Sequence, residues 1–226
     1  MTLNIEPSVE TSIMKIEKIC IIGLGYVGLP LLSLLKKHFD VIGFDIDVRK
    51  IGDIRGGYDR TGDLSADDIE RIKGNLTDNI LDASDCSIYL VTVPTPIDKN
   101  YAPDLSALKS VCKSLLDVLR KGDLVVFEST VYPGTTEEVM VPILEQTGLV
   151  LNKDFSVGYS PERVNPGDRD QTIDKIVKVI SASNDNALMC MNKLYSKVTT
   201  AGIHEAESIK IAEAAKLIEN VQRDVN

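Results

Sequence analysis

The chain has 226 residues, 43% of them hydrophobic, enough for one large domain with an ample core. A formal charge of −9 leaves no basic face for nucleic acid, and no apolar stretch is long enough to span a membrane. Residues 1–17 lack the basic start and apolar run of a signal peptide, so they read as a loosely held lead-in and a cytoplasmic location is expected.

From Lys18 onward, short β-rich runs alternate with helical stretches. KICIIG (18–23) predicts a buried strand, followed by an apolar helix over 27–38. DVIGFD (40–45) is a second strand, with a charged helix to about Arg55 and a further helix over 66–73. CSIYLVTV (86–93) is a strand closed by Pro94 and Pro96, which cannot continue a central ladder. A helix over 104–120, the strand DLVVFES (123–129), a helix over 135–146 and the strand FSVGYS (155–160) follow. IVKVIS (176–181) is another strand, then come a helix over 184–197, a brief strand near Val198, and a long helix from about Glu205.

This alternation predicts an α/β fold: a Rossmann-like, doubly wound parallel sheet with helices on both faces. Residues 18–203 make up that domain, and 204–226 the start of a long central helix. That helix keeps its periodicity to the last residue, with no glycine cap or following proline, so the expectation is a helix truncated rather than ended.

Gly23, Gly25 and Gly28 form G-x-G-x-x-G between the first strand and first helix. Gly23 suits the tight turn, Gly25 lets backbone approach a pyrophosphate, and Gly28 lets helix and strand pack closely. The free amides and helix dipole at that mouth attract phosphate. Asp45, 22 residues after Gly23, ends the second strand where a carboxylate takes ribose hydroxyls and repels a 2′-phosphate. Asp47 adds to that repulsion, while Arg49 and Lys50 could oppose it or simply begin a solvated helix. The paired acids favour NAD over NADP. Cys20, Cys86, Cys112 and Cys190 lie in apolar or helical runs without metal-ligand spacing, and read as buried thiols in a reducing compartment. No metal site is expected, and His38 and His204 have no evident partner.

The ordered motifs IIGLGYVGLPL, VPTP (93–96), ESTVYPGTT (128–136), YSPERVNPGD (159–168) and AAKLIENVQRDVN (214–226) together resemble the UDP-glucose/GDP-mannose dehydrogenase family over residues 18–226. SPERVNPGD, AESIK and ENVQRD resemble the branch acting on UDP-N-acetylglucosamine or -galactosamine in capsule and O-antigen synthesis. The resemblance implies NAD-dependent oxidation of a UDP-N-acetylhexosamine C6 alcohol to the uronic acid. Two hydrides leave the sugar, through an aldehyde and then a cysteine-bound thioester. It also implies a homodimer built through the central helix.

By the same resemblance, Val27, Asp45, Lys50 and Thr95 contact NAD, with Thr95 closing over it. Thr130 lies near nicotinamide and an ordered water. Glu162 assists the water that attacks the thioester, and Lys216 with Asn220 stabilises the developing alkoxide. The last pair is four residues apart and shares one helix face, although lysine and asparagine there also suit a solvated stripe. Glu162 equally suits a surface loop, lone threonines suit strands or caps, and Arg163 could serve a phosphate or a surface ion pair.

The family's nucleophilic cysteine stands in a G-G-H-C-type motif that does not occur here, and its second glutamate in UDP-glucose members is Pro166. The expectation is a chain that binds NAD weakly and completes no overall reaction alone. Two other functions fit parts of the pattern: a two-electron β-hydroxyacid dehydrogenase of the 6-phosphogluconate type, and a non-catalytic NAD-binding module.

Overall fold

The computed structural model describes residues 14–97, 99–100, 102–162 and 173–225. Six strands run parallel: β1 (Ile19–Ile22), β2 (Val41–Phe44), β3 (Leu76–Thr77), β4 (Ile88–Val91), β5 (Leu124–Phe127) and β6 (Ser156–Tyr159). β7 (Lys178–Ala182) turns antiparallel to β6, and β8 (Ile203–Glu205) pairs parallel with β7. The order is β3-β2-β1-β4-β5-β6-β7-β8, so the chain reverses its direction of travel across the sheet between β1 and β4. In open α/β sheets a ligand crevice forms at such a switch point, beyond the carboxyl ends of the strands.

The strands bury both faces because successive residues point to opposite sides. On β1, Ile19 and Ile21 join one apolar cluster with α1 (Gly28–Lys36), α2 (Val48–Arg55), α3 (Ala66–Ile72) and α6 (Asp185–Tyr195). Cys20 and Ile22 join the other, with α4 (Ser106–Leu115), α5 (Val141–Leu144) and α7 (Ile209–Val225). The result is helix, sheet, helix in three layers.

Three expectations need adjustment. The sheet is parallel through β6 only. The brief last strand lies at Ile203–Glu205, not near Val198, which instead packs in the core beyond α6. The helix after Pro133 begins as a π-helical segment, Thr135–Met140, before α5. The lead-in is held at its end, where Met14 and Ile16 pack against the core and the Glu17 amide donates to Ser87 Oγ at 3.0 Å. Residues 1–13, Arg163 and Pro166 lie outside the described residues.

A crevice for a dinucleotide at the sheet's switch point

The glycine loop leaves β1 at Gly23, whose φ of +96° suits a residue without a side chain. Gly28 opens α1 so close to the loop that a Cβ there would collide with the Gly23 carbonyl and with Thr92 Oγ1. Thr92, at the end of β4, donates to the Gly23 carbonyl at 2.7 Å and the Ile22 carbonyl at 3.1 Å, pinning the loop to the neighbouring strand. Around Gly25 a Cβ would meet nothing within 4 Å. Two of the three glycines thus satisfy the protein's own packing, and Gly25 faces open space. A pyrophosphate could approach the backbone there.

Asp45 stands beside this loop, 6% exposed. Its Oδ2 accepts from the Leu24 amide at 2.8 Å and from Lys50 Nζ at 2.6 Å, and its Oδ1 accepts from the Asp47 amide at 2.9 Å. A carboxylate offers about four acceptor sites, so capacity remains for ribose hydroxyls. Lys50 therefore meets Asp45 directly, and any influence on a cofactor runs first through that carboxylate. Asp47 has a further structural role as the cap of α2, accepting from the Arg49 and Lys50 amides at 2.9 and 3.1 Å. Those amides, with Lys50 foremost, hold its carboxyl below the usual range. Arg60, absent from the sequence reading, pairs with Asp47 at 3.3 Å and with Asp53 at 2.5 Å.

The loops after β4 and β5 are stitched together. Thr95 Oγ1 donates to the Thr130 carbonyl at 2.6 Å, and Ser129 Oγ donates to the Val93 carbonyl at 2.5 Å. Thr95 and Thr130, both half-buried, are thus brought together where the loops after β4 and β5 meet. Val27, half-buried, immediately precedes α1.

α7 carries Lys216, which is buried, and Asn220, which is half-buried. Lys216 Nζ lies 3.9 Å from Glu219, one turn on. What docks this helix is Glu213, wholly buried, whose carboxylate accepts from the Gly134 amide at 2.6 Å, the Thr136 amide at 2.9 Å and Thr136 Oγ1 at 2.7 Å. Gly134 and Thr136 begin the π-helical segment that follows Thr130, so the segment's first free amides end on α7. Burial pushes the Glu213 carboxyl up, against those hydrogen bonds. Sequence reasoning missed Glu213, although an acid three residues before Lys216 shares its helix face.

Glu162, after β6, belongs to a buried cluster. Lys178 Nζ lies 2.8 Å from Glu128 Oε2 and 3.3 Å from Glu162 Oε2, and Tyr195 donates to Glu128 Oε1 at 2.6 Å. Neither Glu128 nor Lys178 was singled out from sequence. The available signal was Lys178's place in an apolar strand, on the same side as Ile180.

The cysteines are buried, as expected. Burial drives Cys20 well above the ordinary thiol value, Cys112 to about 12 and Cys190 to about 11, so these three stay protonated near neutrality. Among the described residues no group of acids, histidines and cysteines could hold a metal, and no helix is long and apolar enough to cross a membrane.

A glycine loop at a switch point, with an acid closing the second strand, defines a dinucleotide-binding Rossmann domain. The chain belongs to the UDP-glucose/GDP-mannose dehydrogenase family, whose NAD-binding domain matches residues 17–199. NAD is accordingly its cofactor. It is 48% identical over 215 residues to UDP-N-acetyl-D-glucosamine 6-dehydrogenase of Pseudomonas aeruginosa, covering 94% of this chain and 51% of that protein. It is 47% identical over 211 residues to Protein CapL of Staphylococcus aureus, covering 93% and 50%. Among solved structures, the UDP-D-ManNAc dehydrogenase from Pyrococcus horikoshii superposes with a TM-score of 0.84 at 33% identity, covering 92% of this chain and 51% of that one. The chain spans about half the length of the curated relatives it matches.

Proposed function

We propose that this chain serves the NAD-dependent oxidation of a UDP-N-acetylhexosamine at C6, from alcohol to uronic acid, in polysaccharide synthesis. The observation that carries this is the docking of α7 by Glu213 onto the segment that follows Thr130. It joins the helix bearing Lys216 and Asn220 to the loop that borders the NAD crevice. The relatives named for amino-sugar substrates support the choice of sugar class.

The overall change releases two hydrides and three protons and takes up one water, converting –CH2OH to –COO⁻. NAD supplies the hydride acceptor. Gly23, Gly25, Val27 and Gly28 form the bed for its pyrophosphate, Asp45 with Lys50 takes the adenosine ribose, and Thr95 and Thr130 close the nicotinamide end.

Lys216 and Asn220 then present a cation and an amide donor to the oxygen that gains charge as hydride leaves. Each such donor contributes about 3 kcal/mol to the transition state. Glu162 accepts the proton of the attacking water in the final hydrolysis. The second oxidation needs a thiol that can reach and capture the aldehyde, and all four cysteines are buried, so the 226 residues alone bind NAD without completing the reaction. Assembly as a homodimer through α7 fits its outer face, where Ile218 is 65% and Val221 54% exposed.

The test is NADH yield per UDP-N-acetylglucosamine or UDP-N-acetylgalactosamine consumed by the gene product expressed in full. Two NADH per sugar is expected, and none from the 226-residue chain. One NADH per molecule of a simple hydroxyacid, with none from UDP-sugars, would support the β-hydroxyacid reading instead. NAD binding without turnover of either substrate would leave a binding module.

A further inference from the structure

Glu128, Lys178, Glu162 and Tyr195 form a cluster richer in charge than the packing of interior strand ends requires. The side chains of Glu128, Lys178 and Glu162 are 0%, 5% and 10% exposed. Two carboxylates thus both meet the Lys178 ammonium away from bulk water. Such an arrangement is commonly less stable than apolar residues of the same volume, because each buried ion has lost its hydration. Its retention at the carboxyl ends of β5 and β6, with Glu128 two residues before Thr130, asks for a role beyond packing.

The contacts are unequal. Glu128 is held at both oxygens, by Lys178 Nζ at 2.8 Å and the Tyr195 hydroxyl at 2.6 Å. The Tyr195 ring also faces Nζ, 5.1 Å from its centroid, so the ammonium is fixed from a second side. Glu162 receives the same Nζ at the longer distance of 3.3 Å and is the outermost of the three. Glu128 and Tyr195 therefore anchor Lys178, and Lys178 in turn holds Glu162.

We propose that Lys178 is the positioning residue for Glu162: gripped by Glu128 and Tyr195, its ammonium keeps the Glu162 carboxylate ionised and aimed. The catalytic consequence rests on the reading of Glu162 as the proton acceptor of the hydrolytic step. Burial works to lower the Lys178 pKa, but the two carboxylates outweigh it and keep the ammonium charged. Burial, and next Glu128, raise Tyr195 well above its ordinary value, so it remains a donor. The other helix packed on β6 and β7 is α7, whose buried charges among the described residues are Glu213, committed to Gly134 and Thr136, and Lys216.

The titration of Glu162 is the direct readout, and it needs no turnover. In the 226-residue chain carrying 13C-labelled glutamate side chains, the Glu162 signal is identified by its loss in E162Q. K178M is expected to move that titration upward by about one unit or more, because a carboxylate loses its counter-ion. E128Q keeps the shape, its amide oxygen accepting from Lys178 and its amide nitrogen donating to the Tyr195 oxygen, while removing a like charge, and is expected to move it downward by about half a unit or more. A purely structural role gives no reason for opposite signs. A Glu162 titration that stays within that margin of the parent in E128Q overturns the proposal, even where K178M does not fold. A folded K178M with an unmoved Glu162 overturns it equally. If the full gene product oxidises no UDP-sugar, the catalytic reading of Glu162 fails, while the titrations still decide the clamp.

Discussion

Gly25 and Gly28 stand three residues apart in one motif, yet the structure predicts opposite consequences for the same added methyl group. In G28A the new Cβ would overlap the Gly23 carbonyl and Thr92 Oγ1, and the nearest relief is to push α1 away from β1 and β4. Thr92 cannot yield freely, since it donates to both the Ile22 and Gly23 carbonyls. Overpacking of this kind costs up to about 3 kcal/mol, and each displaced hydrogen bond adds about 1 kcal/mol. A loss of about 3 kcal/mol corresponds to a melting point lower by about 6–12 °C in a domain of this size. In G25A nothing lies within 4 Å of the new Cβ and φ is outside the left-handed region. Stability should then hold or rise by about 0.4–1 kcal/mol, through restriction of the unfolded chain. NAD affinity should nevertheless fall by about tenfold or more, because the methyl group occupies the approach to the pyrophosphate. Melting by circular dichroism, paired with calorimetric NAD titration, separates the two. G28A melting with the parent, or G25A binding NAD as the parent does, would refute this division of roles.

Other outcomes follow from the same geometry. E213A strands three buried donors and is expected to cost about 3 kcal/mol or more; hydrogen exchange should quicken at the Gly134 and Thr136 amides, and unchanged protection there would contradict the clamp. Burial raises Asp123 to about 6 from an ordinary value of 3.8, despite the hydrogen bond from the Arg120 amide. Because the folded state then keeps its proton longer than the unfolded one, stability relative to D123N should fall as pH rises from about 4 to about 6. Urea midpoints across that window test it, and a rising difference would reverse the sign. D45A should weaken NAD binding by about tenfold and narrow the gap to NADP, as fluorescence titration with both coenzymes would show.

The strands were legible wherever a short apolar run is buried on both faces: β1, β2 and β4 to β6 fall within two residues of the expected runs. β3 has only Leu76 and Thr77 at an edge, too short to carry a periodic signal. The orientation of β7 depends on pairing partners rather than local pattern, so its sequence could not reveal that it runs against β6. Val198 misled because an apolar residue packing beyond α6 resembles one in a strand.

At the site, the glycine loop and Asp45 were readable because phosphate and ribose demand particular residues at particular spacing. Thr95 and Thr130 were known only through motif resemblance, yet the structure joins them by a hydrogen bond. Glu213 and Lys178 escaped notice because a charged side chain in a helix or strand reads as solvated until its partners, 77 and 50 residues away, are seen beside it.

The switch point is built to take NAD through an amide-lined loop and a ribose-facing acid. Isothermal titration of the 226-residue chain with NAD and with NADP tests it most directly. Saturable binding of one NAD per chain, with NADP bound about tenfold more weakly or less, is the predicted result. No heat with NAD at millimolar concentration, or equal binding of both coenzymes, would contradict the account.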